Sequence, residues 1–378
     1  MRHILLSIGL LSGAIIGAGM FALPFVFYTA GFAAGFFVLA VGACVLTVIH
    51  LMYAEVILNT RGEHRFVGYT RIYLGESAAR FAMLMMIITE LFVLAIYMIL
   101  AKDFFGLLLP VGYSWLAFVL FWTFGSLFIF IRDSRLALTE FLITGGMIAI
   151  IAIIFLIGFP KVQLSFLPLF NSDISSWFLP FGPVLFALFG TVAVPSVVRY
   201  LQKIYPTNGR LVRTARMAIV LGTFVSASAY ALFVLGSLGL SSAPSEDAVS
   251  GFIGSVHPLV LFGVGILGIL SLWSSYIIVG LDVRNIILYD LAFSRVGAAG
   301  IVVLSPLIVY VASSQDFIGL ISFVGGVFLA VEGLFLIFIW KRCGGLGTKD
   351  LFITRGRRFI FLISGIIFFG ALISSLLL

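Results

Sequence analysis

Four ionisable side chains stand inside long apolar runs, His50, Glu90, Glu140 and Glu332, and Glu55 and Asp282 lie near the ends of such runs. A charge in hydrocarbon is expensive, so each is by default a functional position. Glu90 is the most isolated, with no lysine or arginine at its depth in any run. It reads either as a proton relay or as a neutral acid hydrogen-bonded between helices. Ser271, Ser274 and Ser275 follow i, i+3, i+4 spacing and share one helix face. Their oxygens suit a hard cation, or they bond back to their own backbone. The stretch GAIIGAGMFALP, residues 13–24, sets Gly13, Gly17, Gly19 and Pro24 in the first apolar run. Glycine loosens a helix and proline removes a donor. Backbone freed in this way becomes ligand: amides suit a carboxylate, and carbonyls suit a cation.

Enzymatic chemistry does not fit. His3, His50, His64 and His257 are dispersed, and no metal cluster, nucleophile elbow or phosphate loop is present. GAIIGAG has no strand before it and no lysine, so it is not a nucleotide loop. No cofactor is expected beyond a coupling ion, Na+ or H+. A channel is also disfavoured, because no charged ring or filter-like sequence occurs.

The positioning elements follow from composition. The chain of 378 residues is 62% hydrophobic and 10% charged, against about one-quarter charged in soluble domains. Its apolar runs reach the ~20 residues that a helix needs to cross about 30 Å of hydrocarbon. The alternating ten-residue pattern of a lipid-facing barrel is missing. Eleven spans are expected, at 4–29, 32–58, 78–101, 113–131, 136–159, 178–200, 214–239, 257–281, 297–313, 317–340 and 357–377. No linker interrupts them, so residues 1–378 read as a single transmembrane domain. The first span reads as uncleaved, since no signal-peptidase site follows it. Cys44 and Cys343 differ so much in setting that they read as free thiols.

Basic residues orient these spans. With the N-terminus cytoplasmic, every one of the 22 Lys and Arg residues except Lys102 and Lys161 falls on the inner side, as short loops require. The C-terminus is then outside. Membrane lipid is the implied partner, and nucleic acid is not, because the net charge of +7 is spread over the inner loops.

A second glycine-proline stretch answers the first. GTVAVP at 190–195 matches GMFALP at 19–24, with alanine in the same place and proline five residues after glycine. The two lie five spans apart. An odd number inverts the second copy, giving repeat one at about 4–159, repeat two at about 178–340 and an extra helix at 357–377. Matched interruptions in two halves point to the binding site of a secondary transporter. A close-packing notch between helices is the other reading of either stretch alone.

Together with SGAIIGAGMFALP, three further stretches, MYAEVILNTRGEHRFVGYTRIYLGE, LFALFGTVAVPSV and SLWSSYIIVGLD, carry a resemblance over nearly the whole chain. The sequence resembles permeases of the amino acid/polyamine/organocation superfamily, nearest the aromatic and hydroxy amino-acid permeases and the amino acid/auxin permeases. The resemblance implies a five-plus-five inverted repeat, discontinuous spans 1 and 6, and alternating access. It also implies that amides around Gly17, Ala18 and Gly19 hold a substrate carboxylate. Carbonyls of Phe186, Ala187 and Leu188, with Phe189, Gly190 and Thr191, would hold the amino group and shape the pocket. Carbonyls of Gly13, Ile16 and Ser271 with the hydroxyls of Ser274 and Ser275 match the sodium site of sodium-coupled relatives. Proton-coupled relatives often place a buried lysine in the fifth span, and residues 136–159 have none. Phe186 and Phe189 are expected on one helical face. Tyr97, seven residues after Glu90 and on its face, could cap the substrate or simply pack. Glu55, Glu140, Asp282 and Glu332 fall toward the cytoplasmic half, as inner gate or helix-end pairs.

The expectation is a cation-coupled symporter of a neutral or aromatic amino acid in a prokaryotic plasma membrane. The alternative is a non-transporting amino-acid sensor on the same fold.

Overall fold

The computed structural model describes residues 2–109, 112–129, 136–163, 168–205, 208–241, 243–291, 293–344, 365–366, 368–370 and 372, apart from the side chains of 114, 128, 136–143, 208 and 289–290. The described elements are α1 (Arg2–Ile15), α2 (Leu23–Ala30), α3 (Phe32–Asn59), α4 (Phe66–Leu74), α5 (Glu76–Gly106), α6 (Ser114–Ile129) and α7 (Leu136–Gly158). They continue with α8 (Phe181–Leu188), α9 (Val194–Ile204), α10 (Asn208–Leu240), α11 (Pro258–Asn285), α12 (Arg295–Ala312), α13 (Phe317–Phe323) and α14 (Ala330–Cys343).

Eight described helical stretches, among them Ile174–Ile204 through α8 and α9 and Phe317–Cys343 through α13 and α14, are long and apolar enough to cross a membrane, and the bent α1–α2 pair makes a ninth. The expected fourth span, 113–131, holds α6 (Ser114–Ile129), and residues 130–131 lie outside the described residues. The expected span at 357–377 lies almost wholly outside the described residues, although Phe368 is buried and packs on Gly333 of α14. Large apolar side chains such as Leu5, Phe37, Leu156 and Leu259 are exposed, as a lipid-facing surface requires. Cys44 and Cys343 are unbridged.

The expected first span is two helices. The last α-helical bond runs from Ile16 N–H to Ser12 O at 2.8 Å. Gly17 is then extended, with φ −152° and ψ −156°, and a 3-10 turn at Ala18–Ala22 leads into α2. The axis turns by 55°. The expected sixth span repeats this order of parts. α8 stops at Leu188, Phe189 is extended, and a 3-10 turn at Thr191–Ala193 precedes α9. Pro24 and Pro195 each occupy the first turn of the restarting helix, where a missing N–H costs nothing.

Lipid offers helices no hydrophobic drive to associate, so small residues set the close crossings. Gly158 of α7 lies against the Gly236 carbonyl of α10, and Gly182 of α8 lies against Ser322 and Gly325. Gly325 is the second residue of a π-helical segment, Val324–Leu329, that widens the chain between α13 and α14.

At one end, residues 168–171 cross over the α2–α3 corner. Phe32 N–H and Ala33 N–H donate to the carbonyls of Pro168 and Leu169, while Asn171 donates from its backbone to Ala30 O and from its side chain to Thr29 O. Gly31 at this corner has φ +99°, and a Cβ there would sit 2.6 Å from Phe170 Cα. At the other end, His3 bonds Tyr200 at 3.0 Å, Arg199 donates to His64 O at 3.0 Å, and Arg65 pairs with Asp282 at 2.6 Å. Arg65 is 68% exposed, and a pair in that setting contributes about 0–1 kcal/mol. Arg65→Ala should therefore change the rate of uptake less than about fivefold, an effect smaller still in high salt, as initial-rate assays would read.

Candidate functional site

The two helix breaks meet, Gly19 against the backbone of Ala187 and Gly190 against the side chain of Ile15. A Cβ on Gly19 would lie 2.6 Å from Ala187 Cα, and one on Gly190 would lie 2.5 Å from Ile15 Cγ1. Only glycine lets the chains approach so closely. The stretches paired by sequence pattern are thus paired in space.

Each break frees polar backbone that, in a medium without water, must find partners. The first turn bond of each restart fixes which amides are spare. Met20 N–H donates to Gly17 O and Ala193 N–H donates to Gly190 O, so the amides of Ala18, Gly19, Thr191 and Val192 precede the first turn bonds. Carbonyls are partly claimed by Tyr230 of α10, whose hydroxyl lies 2.6 Å from Ile15 O and 2.9 Å from Ala187 O. The Gly17 amide faces that same hydroxyl. On the other side, Gly190 N–H donates to His50 Nε2 at 3.1 Å, and His50 Nδ1 meets Thr223 Oγ1 at 3.1 Å. Thr191 donates its hydroxyl proton to Glu332 Oε1 at 3.0 Å.

The expected residues divide as follows. Ala18, Gly19, Ala187, Leu188, Gly190 and Thr191 are buried at the junction, with Gly17 beside them. Phe186 and Phe189 are half-buried but do not share a helical face, because α8 ends at Leu188 and Phe189 is already extended. Tyr97 of α5 neighbours Tyr230. Among the described residues Glu332 has no arginine as an ion-pair partner. It reaches the second break through Thr191, because the helix that carries it restarts from the π-segment at that depth. Asp282 does pair, with Arg65. Glu90 has Asp282 and Glu332 as its charged neighbours among the described residues. Glu55 is fully buried, and the side chain of Glu140 lies outside the described residues.

Of the expected cation ligands, Ser274 is buried with no hydrogen-bond partner on its hydroxyl, while Ser271 and Ser275 are half-buried. Gly13 and Ile16 end the first half-helix. α7 lies against both sides of this set, Gly146 packing on Leu267 of α11 and Thr144 on Gly13. A Cβ on Gly13 would sit 3.5 Å from Thr144 Oγ1, so a threonine hydroxyl stands in the fifth expected span near that point.

Sequence reasoning named His50 as a buried ionisable group without a task and Glu332 as an inner gate or helix-end pair, and it missed Tyr230, Thr223, Thr144 and Asn171. Their partners lie far away along the chain, Tyr230 being 215 residues from Ile15 and His50 140 residues from Gly190. An isolated histidine in an apolar run was the only signal.

A polytopic all-α membrane protein with two interrupted helices meeting at their breaks is a secondary transporter of the broken-helix class. Solved structures share the fold. Mhp1, a nucleobase-cation-symport-1 family transporter, in a closed conformation with bromovinylhydantoin bound, is 15% identical with a TM-score of 0.63, over 98% of this chain and 90% of that one. Inward-facing Mhp1 is 13% identical with a TM-score of 0.67, over 98% and 88%. MhsT in complex with L-phenylalanine is 18% identical with a TM-score of 0.59, over 98% and 96%. At these identities the likeness is one of fold. No curated protein matches. The chain belongs to the tryptophan/tyrosine permease family, which it matches over residues 1–373. It is an aromatic amino-acid transporter and not an enzyme.

Proposed function

We propose that the chain is a cation-coupled symporter that moves an aromatic amino acid by alternating access. It does so as a single domain of eleven spans in a prokaryotic plasma membrane. Repeat one covers about 4–159, repeat two about 178–340 inverted against it, and 357–377 is an added span. The N-terminus is cytoplasmic and the C-terminus outside. The observation that carries this reading is the contact of the two breaks, Gly19 on Ala187 and Gly190 on Ile15.

The substrate carboxylate lies on the unspent amides of Ala18 and Gly19, next to Gly17, at the positive end of the restarting half-helix. The ammonium group takes carbonyls among Phe186, Ala187 and Leu188. Phe186, Phe189, Gly190, Thr191 and Tyr97 shape the side-chain pocket, where offset or edge-on aromatic contacts favour an indole or phenol ring. The coupling ion is Na+, held by carbonyls of Gly13, Ile16 and Ser271 and the hydroxyls of Ser274 and Ser275. The unpartnered buried hydroxyl of Ser274 supports this.

Protons are the second candidate, supported by Glu90 having the carboxyl groups of Asp282 and Glu332 as its charged neighbours among the described residues. Uptake of L-tryptophan and L-tyrosine into proteoliposomes under imposed gradients tests the assignment. Concentrative uptake driven by an inward Na+ gradient at fixed pH is expected. Uptake indifferent to Na+ but driven by a proton gradient, and losing its pH profile in Glu90→Gln, would transfer coupling to the carboxyl groups. Tryptophan binding without uptake would indicate a sensor.

A further inference from the structure

We propose that His50 and Tyr230 are positioning residues of the substrate site, each reaching from the second helix of one repeat to hold the broken helix of the other. The assignment rests on reading the two breaks as that site and the chain as two repeats. His50 belongs to α3, the second span of repeat one, and bonds Gly190 in the break of repeat two. Tyr230 belongs to α10, the second span of repeat two, and bonds Ile15 in the break of repeat one.

Donor and acceptor roles are fixed by chemistry. Gly190 N–H can only donate, so His50 Nε2 accepts and carries no proton. The Thr223 hydroxyl donates to Ile219 O at 3.0 Å, which leaves its oxygen to accept from His50 Nδ1–H. The imidazole is thereby held as one tautomer by a fully directed chain from Gly190 to Ile219. This removes the Gly190 amide from the site and presents those of Thr191 and Val192 instead.

Tyr230 has one proton for two carbonyls. The shorter contact, 2.6 Å to Ile15 O, takes it, and Ala187 O at 2.9 Å remains an acceptor. That carbonyl belongs to the set assigned to the substrate ammonium. The tyrosine hydroxyl thus closes the carbonyl of one break and leaves the other for a cationic donor.

Equilibrium binding of L-tryptophan to the purified full-length protein tests this, with Phe189→Ala as a control for the pocket itself. His50→Leu and Tyr230→Phe should each weaken binding by about tenfold, as one lost buried hydrogen bond implies. His50→Gln, whose amide can accept from Gly190 and donate to Thr223, should stay within about threefold of the parent. If His50→Leu fails to fold, Thr223→Val against Thr223→Ser decides, the valine binding more weakly and the serine like the parent. The proposal is overturned if the glutamine variant is as weak as the leucine variant, if the two Thr223 variants bind alike, or if only Phe189→Ala weakens binding. Should none of the variants, Phe189→Ala included, change affinity, the site reading beneath it falls as well.

Discussion

Gly19→Ala should cut tryptophan uptake to about a tenth of the parent or less, whereas Gly17→Ala should keep most of it. The two glycines stand two positions apart in the same motif, yet a methyl group has very different room at each. At Gly19 it would meet Ala187 Cα at 2.6 Å, Ala187 Cβ at 2.9 Å and the Ala187 nitrogen at 3.0 Å. Most of this is backbone and cannot rotate away, so the breaks must move apart. Overpacking of this kind costs about 1–3 kcal/mol, and 1.4 kcal/mol is about tenfold in an equilibrium. At Gly17 the methyl would meet only Ile15 O, at 3.9 Å, and the backbone is extended, a region open to alanine. Gly9→Ala, where a Cβ meets nothing within 4 Å, is the control for membrane insertion. Initial rates normalised to the amount of protein in the membrane give the comparison, and equal loss at positions 17 and 19 would contradict the packing described.

The second large effect is expected at Glu332. Glu332→Ala strands the Thr191 hydroxyl at the second break, 3.0 Å from where its acceptor was. Leaving a buried donor unsatisfied costs about 1–3 kcal/mol, so uptake should fall by about tenfold or more. Glu332→Gln keeps an acceptor oxygen in place and should retain most of the uptake under a sodium gradient. The two variants also separate structure from coupling. A glutamine variant that exchanges tryptophan but no longer responds to a proton gradient would assign the carboxyl group to proton transfer. An alanine variant with unchanged uptake would remove Glu332 from the site.

The breaks were legible in the sequence because glycine and proline act locally: GAIIGAGMFALP and GTVAVP each carry residues that interrupt a helix, and their recurrence favoured a break over a packing notch. Their pairing was legible because the same spacing recurs five spans on. What satisfies the freed backbone was not legible. Tyr230 is one of 12 tyrosines and Thr223 an ordinary threonine in a long helix; their importance lies in neighbours that are distant along the chain. Phe189 was misplaced for a related reason. A period of 3.6 residues put it on the face of Phe186, but the helix ends between them, and no local signal marks the last helical residue.

The central claim is that an aromatic amino acid occupies the junction of the two breaks. Phe189, half-buried there, offers the most direct probe. In a protein carrying Cys44→Ala and Cys343→Ala, a single Phe189→Cys substitution places one reactive thiol at the junction. A small thiol reagent should then inactivate uptake, and saturating L-tryptophan should slow the modification several-fold while a non-substrate amino acid does not. Modification at the same rate with and without L-tryptophan, in a variant that still transports it, would place the substrate elsewhere.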